Sequence, residues 1–135
     1  MARKTARQVA MQLIYQYELG GDGVSSTIEE SMEKPDLNAE DMVYIQAMLD
    51  GTMDKQDELD DLVSKYAVGW KTERIAKVDL SILRLAIYEM LYREDITESV
   101  SINEAIELAH TYSTPEAASF INGILGSVSR APKGE

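Results

Sequence analysis

The sequence predicts an all-α fold, a single domain over residues 1–135 with about seven helices. Three observations lead there. Ala, Leu, Ile, Met, Glu and Lys dominate while strand formers are scattered. Apolar residues recur at the i, i+3, i+4, i+7 spacing of a helix face in one segment after another. No repeat, low-complexity tract or long linker divides the 135 residues, which suffice for one sizeable core.

Residues 3–19 read as the first helix, with Ala6, Val9, Ala10, Leu13 and Tyr17 on one apolar stripe. Gly20, Gly21 and Gly23 end it. Val24 to Lys34 is weakly amphipathic and reads as a short helix that Pro35 breaks. Asn38 suits the N-cap of the next, with Glu40 and Asp41 in the first turn, where the helix dipole favours acids. Met42, Ile45, Met48, Leu49 and Met53 are expected inward, and Leu59, Leu62, Val63 and Tyr66 continue the pattern. Residues 38–67 are thus one bent helix or two, Gly51 being the expected weak point.

Thr72 can cap a short turn containing Ile75. Asp79 opens the most hydrophobic helix, with Leu80, Leu83, Ala86, Ile87, Met90 and Leu91 on one side. Ile82, Leu85 and Tyr88 widen that surface, so this helix is expected at the centre. Ser101-Ile-Asn-Glu104 has the pattern of a capping box, followed by Ala105, Ile106 and Ala109 on a buried face. Thr114 and Pro115 start the last helix, Phe120, Ile121, Ile124, Leu125 and Val128 give its core face, and Pro132 stops it.

Composition narrows the function. The chain lacks cysteine, which removes disulfides, thiolate metal sites and cysteine nucleophiles and fits a reducing compartment. No segment approaches the roughly 20 apolar residues that cross a bilayer. The start is charged and carries no apolar stretch of signal-peptide length, so a cytoplasmic location without membrane contact is expected. His110 is the sole histidine and lies among Ala109, Tyr112 and Ser113, a poor setting for metal or for serine catalysis. Gly20-Gly21-Asp22-Gly23 lacks the lysine of a phosphate loop. Asp57-Glu58-Leu59-Asp60-Asp61 fits no calcium loop and reads as a solvated helix face.

Charge is unevenly placed. Residues 1–17 hold Arg3, Lys4 and Arg7 and no acid, a charge of +3, so the rest must carry −14 for the total of −11. At about 100° per residue the three cations fall in an arc of roughly 100° beside the apolar stripe. A solvated helix end is the plain account of this run, and a contact surface for phosphates the functional one.

Three blocks resemble the NusB family. They are Arg3-Lys-Thr-Ala-Arg-Gln-Val-Ala-Met-Gln-Leu-Ile-Tyr15; Val78-Asp79-Leu-Ser-Ile-Leu-Arg84-Leu-Ala-Ile-Tyr88-Glu89; and Ser101-Ile-Asn-Glu104-Ala-Ile-Glu-Leu-Ala109 followed by Phe120-Ile-Asn122-Gly123-Ile-Leu125. The resemblance implies an all-α fold of two small packed bundles that needs no cofactor. It implies binding of boxA-type RNA together with NusE, a ribosomal small-subunit protein. The pair then joins the antitermination complex on RNA polymerase, notably in ribosomal RNA synthesis. Arg3, Lys4 and Arg7 would meet phosphates, with Gln8 and Gln12 near for base or sugar contacts. Tyr66 and Phe120 would receive unstacked bases, core packing being the alternative for both. Tyr15 and Asp79 fall where the family meets NusE, Asp79 also being suited to cap its helix. Asn122 and Gly123 read as structural, the glycine permitting close helix approach.

The basic start is short, interrupted by Thr5, so weak RNA binding alone and help from a basic partner are expected. A protein-only scaffold of this fold, or a homodimer paired through the basic helix, would instead show salt-insensitive or absent RNA binding. An accessory domain of a ribosomal RNA methyltransferase is a third reading, and a free-standing enzyme the last, for want of a catalytic constellation.

Overall fold

The computed structural model describes residues 2–19, 37–67 and 74–131, with side chains from Lys4 onward. Six helices occupy them: α1 (Ala2–Glu18), α2 (Ala39–Asp54), α3 (Gln56–Tyr66), α4 (Lys77–Tyr92), α5 (Glu98–Tyr112) and α6 (Pro115–Arg130). The expected helix over 24–34, the Thr72 turn and the stop at Pro132 lie outside the described residues.

Helix α4 is the axis of the molecule and packs against each of the other five. Its sequence explains this, since apolar side chains run almost all round it and every residue from Asp79 to Ile87 is buried. Helix α1 packs on α2 and α5 on α6, and both pairs close on α4, in keeping with two small bundles sharing one core. Leu13, Ile45, Leu59, Ile82, Leu83, Ile87, Ile121 and Leu125 are fully buried there, each contributing about 1.5–3 kcal/mol over exposure.

The helix ends show local chemistry at work. Asn38 and Asp41 cap α2 reciprocally, each side chain accepting the other's backbone N–H at 2.9 and 3.1 Å. Thr114 accepts the Ala117 N–H at 3.0 Å, and Pro115 takes the first position of α6. Residues 38–67 form two helices, and the break falls at Lys55 rather than Gly51. Gly51 stays inside α2 because α4 crosses there: a β-carbon at this position would overlap the phenol ring of Tyr88.

Four expectations need correction. Helix α5 starts at Glu98 under a Thr97 cap, so Ser101 is not a cap but a buried residue one turn inside. Helix α4 starts at Lys77, which places Asp79 in the first turn and not at the cap. Gly123 is exposed and a β-carbon there would touch nothing within 4 Å, so no close helix approach requires it. Tyr17 and Met53, expected inward, are 44% and 42% exposed; both lie in the last turns of their helices.

Candidate nucleic-acid and partner interface

The first turn of α1 separates its cations. Lys4 is half-exposed, with its ammonium 3.6 Å from the Glu104 carboxylate on α5, a loose surface pair worth at most about 1 kcal/mol. One turn on, Arg7 is only 5% exposed. Its Nε donates to Glu89 Oε2 at 2.9 Å, and its guanidinium lies 5.9 Å from the Tyr44 ring centroid. Burial alone would lower the Arg7 pKa, but the Glu89 carboxylate outweighs it and holds the guanidinium firmly charged. Arg7 therefore departs from its expected place in a phosphate-facing arc. Both residues line a surface cleft of about 410 Å³ with Asp95, Ile96, Thr97, Val100 and Glu104.

Glu89 explains why Arg7 turns inward. This carboxylate is 1% exposed on α4, and both its oxygens are occupied. Oε2 accepts from Arg7 and from the Tyr44 hydroxyl, while Oε1 accepts from Ser101 Oγ at 2.7 Å. Four helices thus converge on one buried anion, which would be costly to leave unpaired. A second knot sits nearer the start of α4. Arg84 forks onto Asp60 of α3 at 2.8 and 2.9 Å and donates to Glu18 of α1 at 2.6 Å. Burial would raise the Glu18 carboxyl, but Arg84 and Lys77 prevail and hold it below its ordinary value.

Asp79 and Phe120, assigned from sequence to different surfaces, meet in one cleft. It lies between the start of α4 and α6, has a volume of about 300 Å³, and is lined by Arg74, Ile75, Asp79, Thr114, Glu116 and Phe120 among others. Asp79 is 8% exposed, and its Oδ1 has no hydrogen-bond partner among the described residues. Phe120 is half-buried, packs against the core and lines this cleft.

The other anticipated residues are dispersed. Gln8 is half-buried on α1. Gln12 donates from Nε2 to the Tyr112 hydroxyl at 2.9 Å, tying α1 to α5. Tyr15 and Tyr66 are half-buried against the core, with Lys65 Nζ 5.3 Å from the Tyr66 ring centroid. Arg3 lies in α1, its side chain outside the described residues. Sequence reasoning missed Arg74, Thr114 and Glu116 as cleft residues. No period marks them, because the cleft is made by two helix starts far apart in the chain. Among the described residues no group of His, Cys, Asp or Glu is placed to hold a metal ion, and no helix is long and apolar enough to cross a membrane.

Among the described residues, an all-helical fold with several polar surface clefts and a cationic helix start defines a small helical protein suited to binding. The model of the NusB family matches residues 4–130, and the chain belongs to that family. The transcription antitermination protein NusB of Acetivibrio thermocellus is 51% identical over 128 residues, covering 95% of this chain and 88% of that protein. Among solved structures, NusB of T. maritima superposes with a TM-score of 0.85 at 32% identity, covering 97% of this chain and 94% of that one. A complex of the antitermination factors NusB and NusE with double-stranded RNA contains a chain with a TM-score of 0.85 at 23% identity. That match covers 97% of this chain and 98% of the other, and at this identity shows the fold alone.

Proposed function

We propose that this chain is a transcription antitermination factor that binds boxA-type single-stranded RNA together with NusE and joins the antitermination complex on RNA polymerase. The observation that carries the reading is the family match over residues 4–130, supported by a transcription antitermination protein NusB at 51% identity. Residues 1–135 work as one helical domain in the cytoplasm, as a binding adaptor and not as a catalyst. Arg3 and Lys4 supply phosphate contacts, with Gln8 and Gln12 behind them, while Tyr66 and Phe120 offer aromatic surface to bases. Arg7 contributes by holding α1 in place through Glu89. Tyr15 and Asp79 face the protein partner.

Two cations on a chain of net charge −11 neutralise few phosphates, so binding by the chain alone is weak and only modestly salt-dependent. A basic partner adds cationic surface and is drawn to the acidic body. Fluorescence anisotropy of a labelled boxA-type RNA, titrated with this chain alone and with NusE at two salt concentrations, tests the reading. Tighter, salt-dependent, sequence-selective binding with NusE is the expected result. Absence of binding in both arms would overturn RNA recognition and leave a protein-only scaffold or a self-paired dimer.

A further inference from the structure

In the cleft beside the start of α1, every charged side chain on the walls is paired. The charges are Lys4 and Arg7 of α1, Glu104 of α5, and Asp95 in the connection from α4 to α5. Arg7 is held by Glu89 at 2.9 Å, with both side chains almost fully buried. Asp95 accepts from two nitrogens of Arg93 at 3.1 and 3.0 Å. The third pair is of another kind. Lys4 Nζ stands 3.6 Å from Glu104 Oε1, too far for a hydrogen bond, and the two side chains are 54% and 24% exposed. A lysine on its flexible four-carbon stem turns readily from one anion to another, whereas a buried or forked arginine does not. Lys4 is therefore the exchangeable cation on the walls of this cleft, and Glu104 is its resident anion.

We infer that Glu104 sets the RNA affinity of this chain by competing with phosphate for Lys4. The carboxylate holds the ammonium in the free chain and yields it when RNA binds. This rests on the RNA-binding reading above and adds to it the residue that opposes binding. Glu104 is the less exposed member of the pair and sits within α5, so it stays on the cleft wall when Lys4 swings out. Its charge then remains beside the incoming phosphate and repels it. Loss of the pair and repulsion of the phosphate thus act in the same direction. A loose surface pair is weak enough to be exchanged, and salt screens it, so the opposition is strongest at low ionic strength.

The test titrates a labelled boxA-type RNA with wild type, Glu104→Gln, Lys4→Ala and the double variant, each alone and with NusE, at low and at higher salt. Glu104→Gln keeps the size of the side chain and removes its charge. It should bind about three- to five-fold more tightly than wild type at low salt, the gain that release of a loose surface pair allows. Its melting temperature should match wild type, and the gain should shrink at the higher salt. In the Lys4→Ala background the same substitution should bring a much smaller gain, since the cation it frees is gone. Unchanged or weaker binding by Glu104→Gln would overturn the inference while leaving RNA binding in force. An equal gain in both backgrounds would also overturn it, by assigning the effect to general repulsion rather than to exchange at Lys4. Failure of all four chains to bind, with NusE as well as without it, would overturn both.

Discussion

Helix α4 buries two carboxylates ten residues apart, and their surroundings differ in kind. Glu89 has both oxygens occupied by Arg7, Tyr44 and Ser101 from three neighbouring helices. Asp79, almost equally buried, keeps one oxygen unpartnered among the described residues and faces a cleft. Burial alone therefore does not tell how a carboxylate is partnered. Glu89, saturated, holds helices together, whereas Asp79 Oδ1, sealed from solvent, ties no element to α4 among the described residues.

Substitutions should sort along this line. Glu89→Ala leaves the Arg7 guanidinium buried and unpaired, and is expected to cost about 3–5 kcal/mol in urea unfolding, a large share of a small domain's stability. A loss below about 1 kcal/mol would show that the knot is not a fold determinant. Gly51→Ala is expected to cost about 1–3 kcal/mol despite the better helix propensity of alanine, because the new methyl meets the Tyr88 ring. A stabilised variant would mean that Tyr88 swings aside freely.

The Arg84 knot gives a pH signature. Glu18 has its folded-state pKa below the unfolded value, so its contribution is present above the ordinary carboxylate range and is lost as pH falls through the folded-state value. Wild type should exceed Glu18→Gln in melting temperature at neutral pH, and the gap should close on acidification. A gap that persists at low pH would assign the difference to packing. Asp79→Asn should change stability least among the buried polar sites, by less than about 1 kcal/mol, since it removes no partnered bond that the structure shows at Oδ1. At the surface, the hydrogen bond from Tyr92 to Glu58, aided by burial, pushes the Tyr92 phenol up to about 12. Its alkaline absorbance change should move toward the usual tyrosine range in Glu58→Gln.

Much of this was legible in the sequence. The unbroken apolar surface from Leu80 to Leu91 marked the central helix, and Asn38 and Thr114 marked two helix starts correctly. What failed has a common cause. Ser101–Glu104 carries the local signature of a capping box, but the buried Glu89, twelve residues earlier, takes the serine hydroxyl, and Thr97 caps instead. Gly51 read as a weakness of its own helix, yet the neighbouring Tyr88 dictates it. Arg7 read as one of three equivalent cations because no local pattern reveals a carboxylate 82 positions away. Of the candidate site, the residue types were legible. The meeting of Asp79 with Phe120 and Arg74 was not, since tertiary packing alone brings them together.

The most direct test compares two variants by two readouts: Arg7→Met, and Arg3→Ala with Lys4→Ala. Each is assayed for thermal melting and for boxA-type RNA affinity in the presence of NusE, at a temperature where both are folded. Arg7→Met should lower the melting temperature and leave affinity near wild type. The double variant should melt like wild type and lose RNA affinity, with a shallower salt dependence. An Arg7→Met protein that melts normally but no longer binds RNA would contradict the division between a saturated structural knot and an open binding surface.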